Sequence, residues 1–178
     1  TYARIDRSAM GTTVLNGTGW PLNRQRMADY LGFPALVENA YDASQISSMD
    51  HPVEVAGIVT SVALHSGNLV EDVMTQYAQT RPWILLEEGG ENTYVSSAMP
   101  QKRNPGLLNN TRSDASTAVT LAMGPVLQTH NITPGMPDPK DVAQNSDMVD
   151  AGIRTLDRLD RVLKALVINP ERALEELN

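Results

Sequence analysis

The segment Val95-Ser96-Ser97-Ala98-Met99-Pro100-Gln101-Lys102-Arg103-Asn104-Pro105 crowds hydroxyls, an ammonium, a guanidinium and a carboxamide into one short run. It reads as a mobile loop running into the N-terminus of a helix. Pro105 fixes the helix start, where a missing N–H costs little. Asn104 stands where a side chain either caps the helix or reaches a ligand. The free N–H groups of a first turn and the positive end of a helix favour a carboxylate. Such a set suits binding an anionic substrate and stabilising charge that develops on it. The same residues also fit a solvated loop with a good cap, and composition does not decide between the two.

Other reactive side chains are scattered. His51, His65 and His130 have no ligand-like spacing, so no metal is expected. His51 is placed exposed in a first helical turn, His65 on or near a packed helix face, and His130 where a loop begins. Glu71-Asp72 and Glu87-Glu88 read as solvated charge, because sequence neighbours on a helix point in different directions. Met74, Met99, Met123, Met136 and Met148 suit packing. Arg4 and Arg7 read as surface charges, with reach to a substrate carboxylate as the alternative. Gly11 to Gly19 lacks the strand-then-helix setting and the Lys-Ser/Thr ending of a phosphate cradle. No cofactor is expected.

The elements that position the segment are helical. A short helix spans about 22–31, with Gly32 as its stop and Pro34 beyond. The longest pattern runs from about 51 to 79, with Asp50 as N-cap and Pro52 in the first turn. Its apolar residues Val55, Ile58, Val59, Val62, Leu69, Val70, Val73, Met74 and Tyr77 recur at helical steps, over ~40 Å at 1.5 Å per residue. Residues 83–86 read as a short extended piece and 87–95 as a polar loop able to move. A second long helix begins at Pro105 and runs to about Thr129, with a kink expected at Gly124-Pro125. Pro134, Pro137 and Pro139 make a rigid break over 131–140. A third long helix covers about 142–166, and Pro170 opens a last short one.

Composition agrees with helix-on-helix packing. The chain has 178 residues, 41% of them hydrophobic but only 4% aromatic, so aliphatic side chains must fill its core. A net charge of −7 without a basic run argues against nucleic acid or an anionic membrane as partner. The absence of cysteine excludes a disulfide scaffold. No apolar run approaches the ~20 residues of a membrane span, and Thr1–Asp6 carries no signal-peptide pattern. The expected location is cytoplasmic.

Ser96, Ser97, Met99, Pro100, Lys102, Asn104 and Pro105 match the signature Gly-Ser-Ser-x-Met-Pro-x-Lys-x-Asn-Pro. On that ground the chain resembles the aspartase/fumarase superfamily. Gln101, within Met-Pro-Gln-Lys, is similar to the argininosuccinate lyase form. Gly11-Thr12-Thr13 and Asn16-Gly17-Thr18-Gly19 resemble the Gly/Thr loop before the central helices of that group. Pro21-Leu22-Asn23-Arg24, Leu31-Gly32-Phe33 and Asn39-Ala40-Tyr41-Asp42-Ala43 extend the similarity, which covers about 8–130.

The resemblance implies an all-α fold whose long helices form part of a central bundle in a homotetrameric lyase. Residues 1–50 would be a loop-rich opening segment with a short helix. Residues 51–166 would belong to the bundle, including a catalytic serine loop at 87–105. Residues 167–178 would start a C-terminal helical segment, and the N-terminal half of the family fold would be absent. The implied reaction is β-elimination of fumarate from a succinyl-type substrate. By the same carry-over Ser96 is the base, and Lys102 and Asn104 bind the substrate carboxylate. Met99 lines the pocket, with Ser97 and Gln101 as secondary contacts. The family's site is shared between subunits and its acid-side His lies upstream, so this chain alone is expected to be inactive. Val95 stands where the signature has Gly, and Thr133–Asp141 departs from the Tyr-Asn-Lys-Asp segment of argininosuccinate lyases. The alternatives are a carboxymuconate-type cycloisomerase and a non-catalytic oligomerisation bundle.

Overall fold

A computed structural model of the chain describes residues 1–130 and 142–177. Its elements are α1 (Tyr2–Ile5), α2 (Arg24–Leu31), a π-helical turn (Asp42–Ile46), α3 (Ser47–Gln76), β1 (Ile84–Leu86), β2 (Tyr94–Val95), β3 (Arg103–Asn104), α4 (Gly106–Thr129), α5 (Val142–Ala165), β4 (Leu166–Ile168) and α6 (Pro170–Leu177). The structure is mostly helical, in keeping with the aliphatic composition. The chain forms two compact units: Thr1–Ile58 with the described part of Ala122–Ser146, and Val59–Leu121 with the described part of Asp147–Asn178.

The first unit is tied together by main-chain bonds. Ser8 bridges the 35–37 segment: its N–H donates to Ala35 O at 2.9 Å, and its carbonyl accepts from Val37 N–H at 2.9 Å. The guanidinium of Arg24 donates to the carbonyls of Met10 (3.0 Å), Val37 (2.7 Å) and Glu38 (2.8 Å). Asn23 caps α2 by accepting the Arg26 N–H at 2.9 Å, and Gly32 ends it in the left-handed region at φ 79°. Gly32 is thus the stop that the sequence predicts.

The second unit has the apolar core. Val70 and Val73 from α3, Leu86 from β1, Leu107 and Leu108 from α4, and Val162 and Ala165 from α5 are buried together. Each fully buried aliphatic side chain contributes roughly 1.5–3 kcal/mol, so this cluster holds the start of α4 firmly. β1 pairs antiparallel with β4, Leu85 opposite Val167. Where helices approach closely the residues are small: a Cβ added at Gly152 would lie 3.2 Å from Val59 Cγ2.

Several boundaries differ from the sequence reading. Helix α3 begins at Ser47, directly after the π-helical turn, so Asp50 is inside the helix and caps nothing, and Pro52 lies beyond the first turn. The helix ends at Gln76 and the chain continues to Gln79 in i→i−3 turns. Helix α4, by contrast, runs through Pro125 to Thr129, the end that the sequence predicts. Helix α5 stops at Ala165 because Leu166–Ile168 pair with β1. His65 is exposed rather than packed, and His51 is half-buried. The predicted break over 131–140, Met136 and the Thr133–Asp141 segment lie outside the described residues.

Against expectation, one stretch is long and apolar enough to cross a membrane by length and composition alone: Asp42–Gln76. Between Glu54 and Glu71 it has no Asp, Glu, Lys or Arg, though Thr60, Ser61, His65, Ser66 and Asn68 interrupt the apolar run. A helix packed in an assembly passes the same test. Large apolar side chains are uncovered on other helices too: Val149, Ile153, Leu156 and Leu163 of α5 are each 39–51% exposed.

Candidate active site

The signature segment folds as a hairpin at the N-terminus of α4. Tyr94 pairs with Asn104 and Val95 with Arg103 in an antiparallel ladder of two residue pairs. Opposed residues of such a ladder project to one face, and neighbours along a strand to opposite faces. Tyr94 and Asn104 therefore share a face, and Val95 and Arg103 take the other. A longer bond, Ser96 N–H to Lys102 O at 3.4 Å, continues the pairing by one step. That returns Ser96 and Lys102 to the face of Tyr94 and Asn104. The tip closes with Lys102 N–H donating to Met99 O at 2.9 Å and Met99 N–H donating to Ser96 Oγ at 3.2 Å.

The side chains of the tip are mostly uncommitted. Ser96 and Asn104 are half-buried, while Ser97, Met99, Gln101 and Lys102 are exposed. Among the described residues, the Lys102 ammonium, the Ser97 hydroxyl and the carboxamides of Gln101 and Asn104 have no hydrogen-bond partner. Asn104 therefore leaves the capping role unfilled and its side chain free. The Pro105 carbonyl instead accepts the first helical bond, from Asn109 N–H at 3.1 Å. One free donor of the first turn, Leu107 N–H, is taken by Asn92 O at 3.0 Å. On the opposite face Arg103 is engaged, with Nη1 donating to Pro100 O at 2.7 Å and Nε facing Glu88 Oε2 at 3.4 Å.

Val95, in place of the signature Gly, has the extended backbone of β2. The only non-glycine residues with positive φ among those described are Thr13 and Val14. A β-branched residue is at ease in a strand, so the valine costs the hairpin nothing.

The stretch before the hairpin is not the free loop that its polarity suggests. Gly89 N–H donates to Thr93 Oγ1 at 2.9 Å, Asn92 N–H to Gly89 O at 3.1 Å, and Asn92 Nδ2 to Glu87 O at 3.3 Å. Gly89 and Gly90 supply the positive φ, 95° and 56°, that this tight path needs. Glu91 reaches Arg161 of α5 at 2.6 Å. Next to this base, Tyr94, Gly106, Asn109, Asn110 and Arg158 line a cavity of about 440 Å³. Sequence reasoning missed Tyr94 and Gly106. The available signal was a glycine opening a long helix, just past Pro105.

The remaining sequence candidates lie elsewhere. Arg4 is paired with Asp50 (2.5 Å) and Glu54 (3.2 Å), and Arg7 is exposed. Hydrogen bonding from Thr1, then Arg4 and the N-terminal ammonium, holds the Glu54 carboxyl below its usual range. His130 is exposed, its Nδ1 2.9 Å from Leu127 O. Glu71 pairs with Arg112 at 3.3 Å. Among the described residues no His, Asp or Glu side chains gather as a metal site.

Comparison with known proteins gives this geometry a family. Residues 1–120 match the family described as Lyase. The chain is 31% identical over 168 residues to argininosuccinate lyase of Leptothrix cholodnii, and 32% over 178 residues to argininosuccinate lyase 2 of Agrobacterium fabrum. Each alignment covers 94% of this chain and 33% of the relative. Among solved structures, an EDDS lyase variant with bound fumarate superposes with a TM-score of 0.79 at 28% identity, and EDDS lyase in complex with formate with 0.77 at 29%. Each superposition covers 96% of this chain and 33% of the other. The chain thus spans about a third of the length of the curated relatives it matches. These relatives favour a lyase over the cycloisomerase and the non-catalytic bundle. A hairpin carrying the serine signature at every fixed position but the first, inside a stretch matched along two thirds of the chain, makes this chain a member of the lyase family.

Proposed function

We propose that the longer protein to which this chain corresponds is a lyase that releases fumarate by β-elimination from a succinyl-type substrate, and that this chain supplies the base side of its site. The observation that carries this reading is the hairpin register, which puts Ser96 and Lys102 across from each other beside the start of α4. The Ser96 oxygen removes the proton next to a carboxylate. The electrons of that C–H bond form the C=C bond as the C–N or C–O bond breaks, and an acid outside this chain protonates the leaving group. Lys102 and Asn104, free and on the same face, bind the carboxylate that gathers charge. Met99 lines the pocket, and Ser97 and Gln101 make secondary contacts.

Magnitudes say what else the site needs. An ammonium ~4 Å from an alkoxide is worth about 1 kcal/mol in water and about 4 kcal/mol at an effective dielectric constant near 20. The hairpin tip is exposed here, so Lys102 alone does not make Ser96 a base. The reading therefore includes a cover supplied by the rest of the longer protein and by neighbouring subunits of a homotetramer. The uncovered apolar residues of α5 support such an association.

The test is Ser96→Ala in the longer protein, with fumarate followed by its ultraviolet absorbance and assembly by light scattering. Loss of fumarate release in a tetramer that still forms supports the assignment. Undiminished turnover removes it. The chain by itself is expected to release no fumarate from any succinyl adduct.

A further inference from the structure

We infer that Tyr94 is a positioning residue: its ring, seated on Gly106 at the opening of α4, sets the angle at which the hairpin presents Ser96. This rests on the fumarate-releasing reading above. The ring occupies the space that a side chain at position 106 would need. A Cβ added to Gly106 would stand 2.9 Å from Tyr94 Cδ1 and 3.2 Å from Cε1, well inside the 3.5–4.0 Å of an ordinary carbon contact. Glycine is the poorest helix former after proline, so its place at the head of the 24-residue α4 calls for a reason. Close approach of an aromatic ring is that reason, and Gly106 is buried under it.

The contact sits where the hairpin has least else to hold it. The ladder is two residue pairs long, and an isolated hairpin of that kind is marginal. Tyr94 belongs to the first pair, opposite Asn104, which leads directly into Pro105 and the helix. Beyond the ladder, among the described residues only the main-chain bond from Leu107 N–H to Asn92 O ties this base to the first turn of α4. The ring therefore links the strand that leads into Ser96 to the helix anchored by Leu107 and Leu108. The phenol oxygen has no hydrogen-bond partner among the described residues, so the ring and not the hydroxyl is what positions.

The test uses Tyr94→Ala, Tyr94→Phe, Gly106→Ala and the double variant Tyr94→Ala/Gly106→Ala. In the 178-residue chain the readout is hydrogen exchange at the Ser96 and Lys102 amides, both hydrogen-bonded within the hairpin. Tyr94→Ala and Gly106→Ala are each expected to speed exchange about tenfold, and Tyr94→Phe to leave it within about twofold. The double variant should exchange no faster than Tyr94→Ala, because without the ring a methyl group at 106 meets only Asn92 O, at an ordinary contact distance of 3.8 Å. Unchanged exchange in Tyr94→Ala, or additive effects in the double variant, overturns the inference. In the longer protein, Tyr94→Ala should lower kcat about tenfold with KM within about twofold, and Tyr94→Phe should restore it. Faster exchange with an unchanged kcat in Tyr94→Ala also overturns it. If the unsubstituted longer protein releases no fumarate, the functional reading fails while the exchange result still judges the contact.

Discussion

The base of the loop, Glu87–Thr93, and its tip, Ser96–Lys102, have similar polarity and opposite physical character. In the base the polar groups are spent on one another: Thr93 holds Gly89, Asn92 holds Glu87 and Glu91 holds Arg161. In the tip the main chain is bonded and the side chains are left over. The side chains of Ser97, Gln101 and Lys102, like that of Asn104 in the adjoining ladder, have no hydrogen-bond partner among the described residues. The lesson is that polarity in a sequence does not separate structural from chemical residues. What separates them is whether the neighbours use up their hydrogen-bonding capacity.

That contrast predicts a graded series of effects. Ser96→Ala should lower fumarate release by the longer protein about 10²- to 10⁴-fold, the range of a lost positioned base, with an unchanged melting temperature. A large loss of stability would place the serine with the structural residues instead. Leu107→Ala should do the reverse. It empties a fully buried site and should cost about 2–5 kcal/mol in a denaturant titration. A stability near that of the parent would show that α4 is not anchored by this core.

A smaller effect should follow pH. Burial pushes the Tyr77 phenol above its ordinary value of 10.0, with the Glu88 carboxylate adding to the rise and the Leu86 N–H bond opposing it. The unfolded chain ionises first, so the stabilisation is intact below pH 10 and is lost as pH rises through the folded value. Melting curves should therefore fall above pH 10, and Tyr77→Phe should flatten that fall. The smallest change is expected for Glu91→Gln. Its pair with Arg161 is exposed and should be worth no more than about 1 kcal/mol in thermal melts. A larger cost would mean that the base depends on this charge.

Much of this was legible in residue order. The long helices follow from aliphatic periodicity, the end of α2 from Gly32, and the start of α4 from Pro105. The hairpin could be located because its reactive residues are contiguous. What was hidden is non-local. Leu166-Val167-Ile168 extend an apolar helix pattern, and only their pairing with Ile84–Leu86, far away in sequence, makes them a strand. Asp50 has the type of an N-cap, yet the π-helical turn before Ser47 feeds α3 from upstream and leaves no end to cap. Tyr94 and Gly106 carry no local mark of their contact, because it depends on how the hairpin folds back onto the helix. Polar composition over 87–95 reads as a free loop, and the side-chain bonds that tie it to itself and to Arg161 are not specified by composition.

The seam of Val149, Ile153, Leu156 and Leu163 bears on how the protein behaves in a test tube. At low ionic strength the net charge of −7 keeps molecules apart before these greasy stripes touch. Added salt shortens that electrostatic reach to roughly 10 Å at 0.1 M. Dilute buffer should then hold the purified chain monodisperse, while ordinary saline drives it to self-adhere.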